Sequence, residues 1–141
     1  MNVSIEYFAG LLDSHGRFWL QNDRLINARW TNRFTYYSYR KQIADCLKKE
    51  FGGTVIYQKG KSIEHRKNKT WRWEIRGKQL DSFCERLFPF LIFLKEECEI
   101  MIEFRKTYLN STPPKPLPLS VVNYRNDLCL KFKNKKVTKN R

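Results

Sequence analysis

Between Ser4 and Arg76 the chain passes twice from helical periodicity into a pair of alternating segments, and this repeated α-β-β order restricts its fold more than any other feature. Ser4 to Asp13 places Tyr7, Phe8, Leu11 and Leu12 at helical spacing, with Ser4 able to cap the first turn. Gly16 supplies a turn, after which Arg17 to Gln21 and Arg29 to Tyr37 read as strands. Ser38 to Phe51 returns to helical spacing, with Ile43, Leu47 and Phe51 on one stripe and Gly52-Gly53 as its stop. Thr54 to Lys59 and Thr70 to Arg76 are the next two strands, joined by Gly60 to Lys69 as a long polar hairpin loop. Helical patterns over Lys78 to Leu87 and Lys95 to Leu109 flank the break at Pro89. These elements predict an α+β domain: four antiparallel strands backed by helices on one face, the other face left for solvent or a partner.

The opening segment does not recur, so the chain reads as one unit. Residues 1–110 form the expected domain, 111–118 an extended connector with four prolines, and 119–141 a short helix with a basic tail. That tail, Lys131 to Arg141, carries six cations and no acid, and is expected to stay unfolded until an anion holds it. Lys and Arg total 28 against 14 acids, a net charge of +14 and a pI of about 9.8. Such a surplus repels itself in a compact fold unless a polyanion neutralises it. Nucleic acid fits best, since each neutralised phosphate releases counterions. An anionic membrane surface is the rival, but the longest apolar run, Leu87 to Leu94, falls far short of the ~20 residues of a spanning helix. The first residues lack a secretory signal, so the protein is expected not to be secreted. Cys46, Cys84, Cys98 and Cys129 are scattered and far in sequence from His15 and His65, which argues for reduced thiols rather than a zinc site.

Phe8-Ala9-Gly10-Leu11-Leu12-Asp13-Ser14-His15-Gly16 resembles the motif after which the LAGLIDADG homing endonucleases are named. Six of the nine positions match or change conservatively through Asp13, and Gly16 matches as well. Gly52-Gly53-Thr54-Val55 is similar to the family's entry into its third strand. Leu87-Phe88-Pro89-Phe90-Leu91 followed by Lys95-Glu96-Glu97 is similar to its late helix-turn-helix. The resemblance covers roughly residues 4 to 110. It implies the LAGLIDADG αββαββα fold, whose four-stranded antiparallel saddle sheet lies in the DNA major groove when two units pair through their motif helices. A chain with one motif is then expected to need a second copy, as a homodimer, or a different LAGLIDADG half. Ala9, Gly10, Asp13 and Ser14 would face that partner, with Gly10 and Ser14 small enough to let backbones approach. A glycine inside a helix costs ~1 kcal/mol relative to alanine; the alternative reason for Gly10 is packing within its own domain.

Alternation assigns Arg17, Trp19 and Gln21 to the open sheet face on strand one, with Phe18 and Leu20 inward. Strand two contributes Arg29, Thr31 and Arg33. Strand three contributes Tyr57 and Lys59, with Ile56 inward, and strand four Thr70, Arg72 and Glu74, with Trp71, Trp73 and Ile75 inward. Arg and Gln can bond base edges in pairs. The expected nucleic-acid contacts are therefore Arg17, Trp19, Gln21, Arg29, Thr31, Arg33, Tyr57, Lys59 and Arg72. Lys131, Lys133, Lys135, Lys136, Lys139 and Arg141 would follow the phosphate backbone. The plain alternative is an ordinary solvated sheet face.

The resemblance breaks at the chemistry. The family's eighth motif residue is an acid that ligates a divalent metal at the scissile phosphate, and here it is His15. Mg²⁺ prefers hard oxygen ligands, and the remaining Asp13 lies where the family's acid helps end the helix. The basic residue that the family places after Pro-Phe-Leu falls on Leu94, with Lys95 one step beyond, and a polar position near the end of strand two falls on Arg33. No catalytic residue, metal site or cofactor is expected at these degenerate positions; Mg²⁺ enters only if the chain still cuts DNA. Three functions follow: an active DNA endonuclease, an intron maturase, or a fixed part of a ribonucleoprotein such as an organellar ribosome, beside other proteins of that particle. Trp19, Trp30, Tyr36, Tyr37, Tyr39, Tyr57, Trp71 and Trp73 favour RNA over DNA, since unpaired bases stack on such rings, although each ring has a core role as its alternative. A Lys-, Asn-, Ile-, Phe- and Tyr-rich composition suits AT-rich organelle genes, hence a mitochondrial, chloroplast or other intracellular location. The sequence thus points to non-catalytic binding of structured RNA.

Overall fold

The computed structural model describes residues 3–24, 29–58, 70–108 and 117–139, with 23, 24, 29 and 136–139 described by backbone alone. Helix α1 (Ile5–His15) starts where the Ser4 hydroxyl accepts the Tyr7 N–H at 3.2 Å, a cap worth about 1 kcal/mol. It ends at Gly16, where a Cβ would lie 2.1 Å from the Phe34 ring, so only glycine lets the chain turn so close to the sheet. Strands β1 (Arg17–Arg24) and β2 (Arg29–Ser38) follow, then α2 (Lys41–Phe51), β3 (Thr54–Gln58), β4 (Thr70–Ile75) and α3 (Gly77–Leu87). A 3-10 turn at Phe88–Phe90 leads to α4 (Lys95–Lys106), and α5 (Leu119–Lys139) completes the described chain. Gly53, at φ +88°, carries α2 into β3; a Cβ there would meet the Glu74 carbonyl oxygen at 2.4 Å.

The four strands form one antiparallel sheet in the order β1-β2-β4-β3. Its inner face packs on the helices through Phe18, Phe34, Trp73 and Ile75, all essentially buried. Phe34 meets Phe18 and Phe83 at centroid distances of 4.7 and 4.9 Å, and Phe51 meets Phe83 at 5.1 Å. Each ring so buried contributes roughly 1.5–3 kcal/mol.

The C-terminal region departs from expectation. Instead of a short helix and an unfolded tail, α5 runs unbroken for 21 residues to Lys139. Leu128 and Phe132 are buried in the same core as the sheet, so the helix belongs to the fold rather than following it. Four residues apart, they give the segment one apolar stripe that the run of lysines conceals. Arg125, also buried, holds α5 down: its guanidinium sits 4.0 Å from the Tyr108 ring centre and 4.8 Å from that of Trp30, and it donates to the Thr107 hydroxyl and carbonyl. Burial pushes its pKa down. The expected hairpin loop at 60–69 and most of the proline-rich connector lie outside the described residues.

Candidate nucleic-acid interface

The pairing register decides which side chains share the open sheet face. Arg17, Trp19 and Gln21 pair with Thr35, Arg33 and Thr31, so the six stand together on it. Thr35 and Tyr37 pair in turn with Glu74 and Arg72, adding the centre of β4. On the far edge, Thr54 and Ile56 pair with Glu74 and Arg72. Ile56 therefore faces outward. Tyr57 does not: it pairs with Trp71, meets that ring at 5.5 Å, and lies on the helix side of the sheet. The sequence expectation was inverted here because Ile56 looks like the core residue of this strand, whereas Val55, opposite buried Trp73, fills that role. The side chains of Arg29 and Lys59 lie outside the described residues.

The face is basic but already organised by its own contacts. The Arg17 guanidinium lies 3.9 Å from the centre of the Trp19 ring and that of Arg33 5.2 Å from it, while the indole N–H donates to the Thr35 hydroxyl at 2.8 Å. Glu74, though on the open face, is buried: one oxygen takes Arg33 at 2.8 Å and the other takes Arg76 at 2.9–3.0 Å. Arg33 thus arrives with much of its charge neutralised. Arg17 and Arg72 have no acidic partner among the described residues. Arg76 and Arg105 join Arg33 around an open depression of about 490 Å³. Strand alternation gave no signal for Arg105, which comes from α4, while Arg76, just before α3, continues the alternation of Thr70, Arg72 and Glu74 but was not singled out.

Several rings offered as stacking platforms are structural. Trp73 and Tyr36 are buried, Trp30 packs on Phe104 at 6.4 Å, and Trp71 lies inward with Tyr57. Trp19 is half-buried on the open face, Tyr37 is exposed there, and Tyr39 is exposed just beyond β2.

At the end of α1 the expected partner set divides. Ala9 and Asp13 are buried within the chain's own fold and are not presented to a partner. Gly10 and Ser14 are exposed, and a Cβ at Gly10 would meet nothing within 4 Å, so this glycine is not explained by packing inside the domain. Next to this helix end, Ile92 and Phe93 are 76% and 68% exposed, an apolar pair the sequence reading did not single out.

Asp13 explains how that loop is held. Its carboxylate accepts the backbone N–H groups of Ile92, Phe93 and Leu94 at 2.9, 3.0 and 2.7 Å, spanning both oxygens at the entrance to α4. Three orphan donors and the positive end of a helix are satisfied by one buried acid. His15 is exposed, with Nδ1 2.7 Å from the Ser14 hydroxyl. Leu94 precedes the first turn of α4, and the Lys95 ammonium lies 5.2 Å from the Phe88 ring centre. Among the described residues no three His, Cys, Asp or Glu side chains converge in one cluster. The donors at the end of α1, one imidazole and one carboxylate already holding three backbone N–H groups, are a poor fit for Mg²⁺.

The lysines of α5 are divided between two surroundings. Lys135 pairs with Glu96 at 3.2 Å, and Lys131 lines the same shallow groove as Glu96, Glu99 and Glu103, so these two face the acids of α4 rather than the sheet. Lys133 points the other way, beside Arg17 and Gln21. The side chains of Lys136 and Lys139, and all of Arg141, lie outside the described residues.

Comparison of the sequence with protein families and with curated proteins finds no match. Comparison of the fold does. The chain superposes on the homing endonuclease I-CvuI, solved in complex with its target, at a TM-score of 0.69 and 20% identity, over 93% of this chain and 80% of that one. For the archaeal intron-encoded homing endonuclease I-Vdi141I, complexed with DNA, the values are 0.72, 16%, 93% and 82%. For the homing endonuclease I-TnaI they are 0.65, 13%, 99% and 98%. The strand order, the capped motif helix and these superpositions agree: the chain has the LAGLIDADG homing-endonuclease fold, as a single-motif unit.

Proposed function

We propose that this protein binds nucleic acid on its open sheet face and does not cleave it, with structured RNA as the favoured partner and a ribonucleoprotein, such as an organellar ribosome, as the setting. One observation carries the reading. Among the described residues the one carboxylate at the end of α1 is Asp13, and both its oxygens accept backbone N–H groups of residues 92–94. The side chain after Ser14 is an imidazole. Hydrolysis at neutral pH through a hard divalent ion needs free oxygen ligands to hold that ion and lower the pKa of its water. The sheet face supports the binding half of the reading, since Arg17, Trp19, Gln21, Thr31, Tyr37 and Arg72 share it. The net charge of +14 supports a polyanion as its partner.

A second unit completes the reading. Exposed Gly10 and Ser14, beside exposed Ile92 and Phe93, suit a helix-to-helix contact with another copy or a different LAGLIDADG half. Binding to duplex DNA is the second reading, favoured by neighbours of the same fold solved with DNA.

The test is an incubation of the purified protein with supercoiled DNA and structured RNA in Mg²⁺ and in Mn²⁺, with binding measured across a salt series. The expected result is no nicking, tighter binding to RNA than to duplex DNA, and affinity that falls steeply with salt. Metal-dependent nicking would overturn the proposal, and affinity insensitive to salt would remove the phosphate contacts from it.

A further inference from the structure

Where α5 crosses the outer side of β1, the end strand of the sheet, a cleft of about 560 Å³ opens, with Arg17, Trp19, Gln21, Cys129, Leu130 and Lys133 among its lining residues. We propose that this cleft receives an unpaired nucleotide, so that the protein marks bulges and loops of a folded RNA rather than its paired stems. The inference rests on the RNA-binding reading above and sharpens it.

Four observations carry it. The volume lies within the ~300–1,000 Å³ of small-ligand sites, ample for one nucleotide. Among the described residues its only charged lining side chains are Arg17 and Lys133, both cationic, and no acid lines it. Its walls offer flat and apolar surfaces among polar ones: the Arg17 guanidinium lies 3.9 Å from the Trp19 ring centre on one side, and Leu130, 60% exposed, stands on α5. Unpaired bases stack on arginine planes and rings, whereas a base inside a stem is already stacked and paired. Finally, the width of the cleft is fixed. The Asn126 side-chain oxygen on α5 accepts from Asn22 of β1 at 2.9 Å and from Trp30 of β2 at 3.2 Å, clamping the helix to the sheet. Because Arg17, Trp19 and Gln21 belong to both the sheet face and the cleft, a strand lying on the first reaches the second without a gap.

The test uses two RNA hairpins of equal length, one fully paired and one with bulged nucleotides, at a single salt concentration. Leu130→Glu places a carboxylate in the cleft. Leu119→Glu, on the same helix at another exposed site, makes the same charge change outside it. Thermal melts establish that both variants fold. Wild type should prefer the bulged hairpin, and Leu130→Glu should weaken that complex by at least roughly tenfold, from phosphate repulsion and lost stacking. Its effect on the paired hairpin should match the small effect of Leu119→Glu. Equal wild-type binding to both hairpins, or equal losses from the two variants, would overturn the cleft and leave RNA binding by the sheet standing. Failure of wild type to bind either hairpin would remove the RNA reading, and the cleft with it.

Discussion

The end of α1 and the open face of the sheet lie next to each other in sequence, yet they offer a ligand opposite things. At the end of α1 Asp13 is engaged by three backbone donors and the His15 Nδ1 lies beside the Ser14 hydroxyl. On the sheet the acid is committed too, Glu74 to Arg33 and Arg76, but Arg17 and Arg72 keep cationic heads with no acid beside them among the described residues. Two acids held by the scaffold beside two arginines left outward are the contrast on which the proposed binding without hydrolysis rests. The contrast also shows that a familiar acid in a motif does not establish chemistry. What matters is whether its lone pairs are free.

The contrast is broken most forcefully at Asp13. Asp13→Ala strands three backbone donors at the entrance to α4 and should cost about 3 kcal/mol, a fall in Tm of roughly 10 °C. Calorimetry checks it. A variant of unchanged stability would mean that the carboxylate is not committed to the scaffold and is available for other work.

Next in size is Glu74→Gln, which removes the buried charge that draws Arg33 and Arg76 together. Stability should fall by about 2 kcal/mol, while affinity for nucleic acid at low salt should rise a few-fold as two arginines are released. Paired chemical denaturation and salt-titrated binding separate the two effects. A fall in both would mean that Glu74 contacts the ligand or orients Arg33 for it.

Gly10→Ala sharpens the partner side of the comparison. In the isolated chain the methyl meets open space, so the substitution should stabilise the helix by up to about 1 kcal/mol. In a helix-to-helix pair the same methyl pushes the backbones apart and should weaken association several-fold. Sedimentation across a concentration series tests this, and association unchanged in Gly10→Ala would place the partner elsewhere.

The smallest effect belongs to His15→Asp. The side chain is exposed, and an anion at a helix C-terminus costs only about 0.5 kcal/mol. Plasmid nicking in Mg²⁺ should remain absent, because Leu94 still supplies no charge and Asp13 is still engaged. Cleavage by this single variant would show that the rest of a catalytic site had survived.

Much of this architecture was legible from local pattern. Helical spacing over Phe8 to Leu12, alternation over Arg17 to Gln21, and the Gly52-Gly53 stop each report forces that act within a few residues, and element order follows from them. The surplus of lysine and arginine likewise suggested the polyanionic partner proposed above without reference to fold. Where two readings competed locally, sequence could not choose. Ile56 and Val55 are equally apolar, and only pairing with β4 put Val55 opposite Trp73 and turned Ile56 outward. Lys131 to Arg141 looked like a solvated tail because it adds only Phe132 to the apolar stripe that Leu128 begins, and that stripe has value only once β1 and α4 are there to cover it. Asp13 is the clearest case. Its three donors lie about eighty residues away, so composition and motif showed an acid, and tertiary contact alone decided that it is a cap. Local periodicity is written in the chain because it reflects short-range sterics and burial; the commitment of a particular lone pair is not, because it depends on which distant backbone folding brings against it.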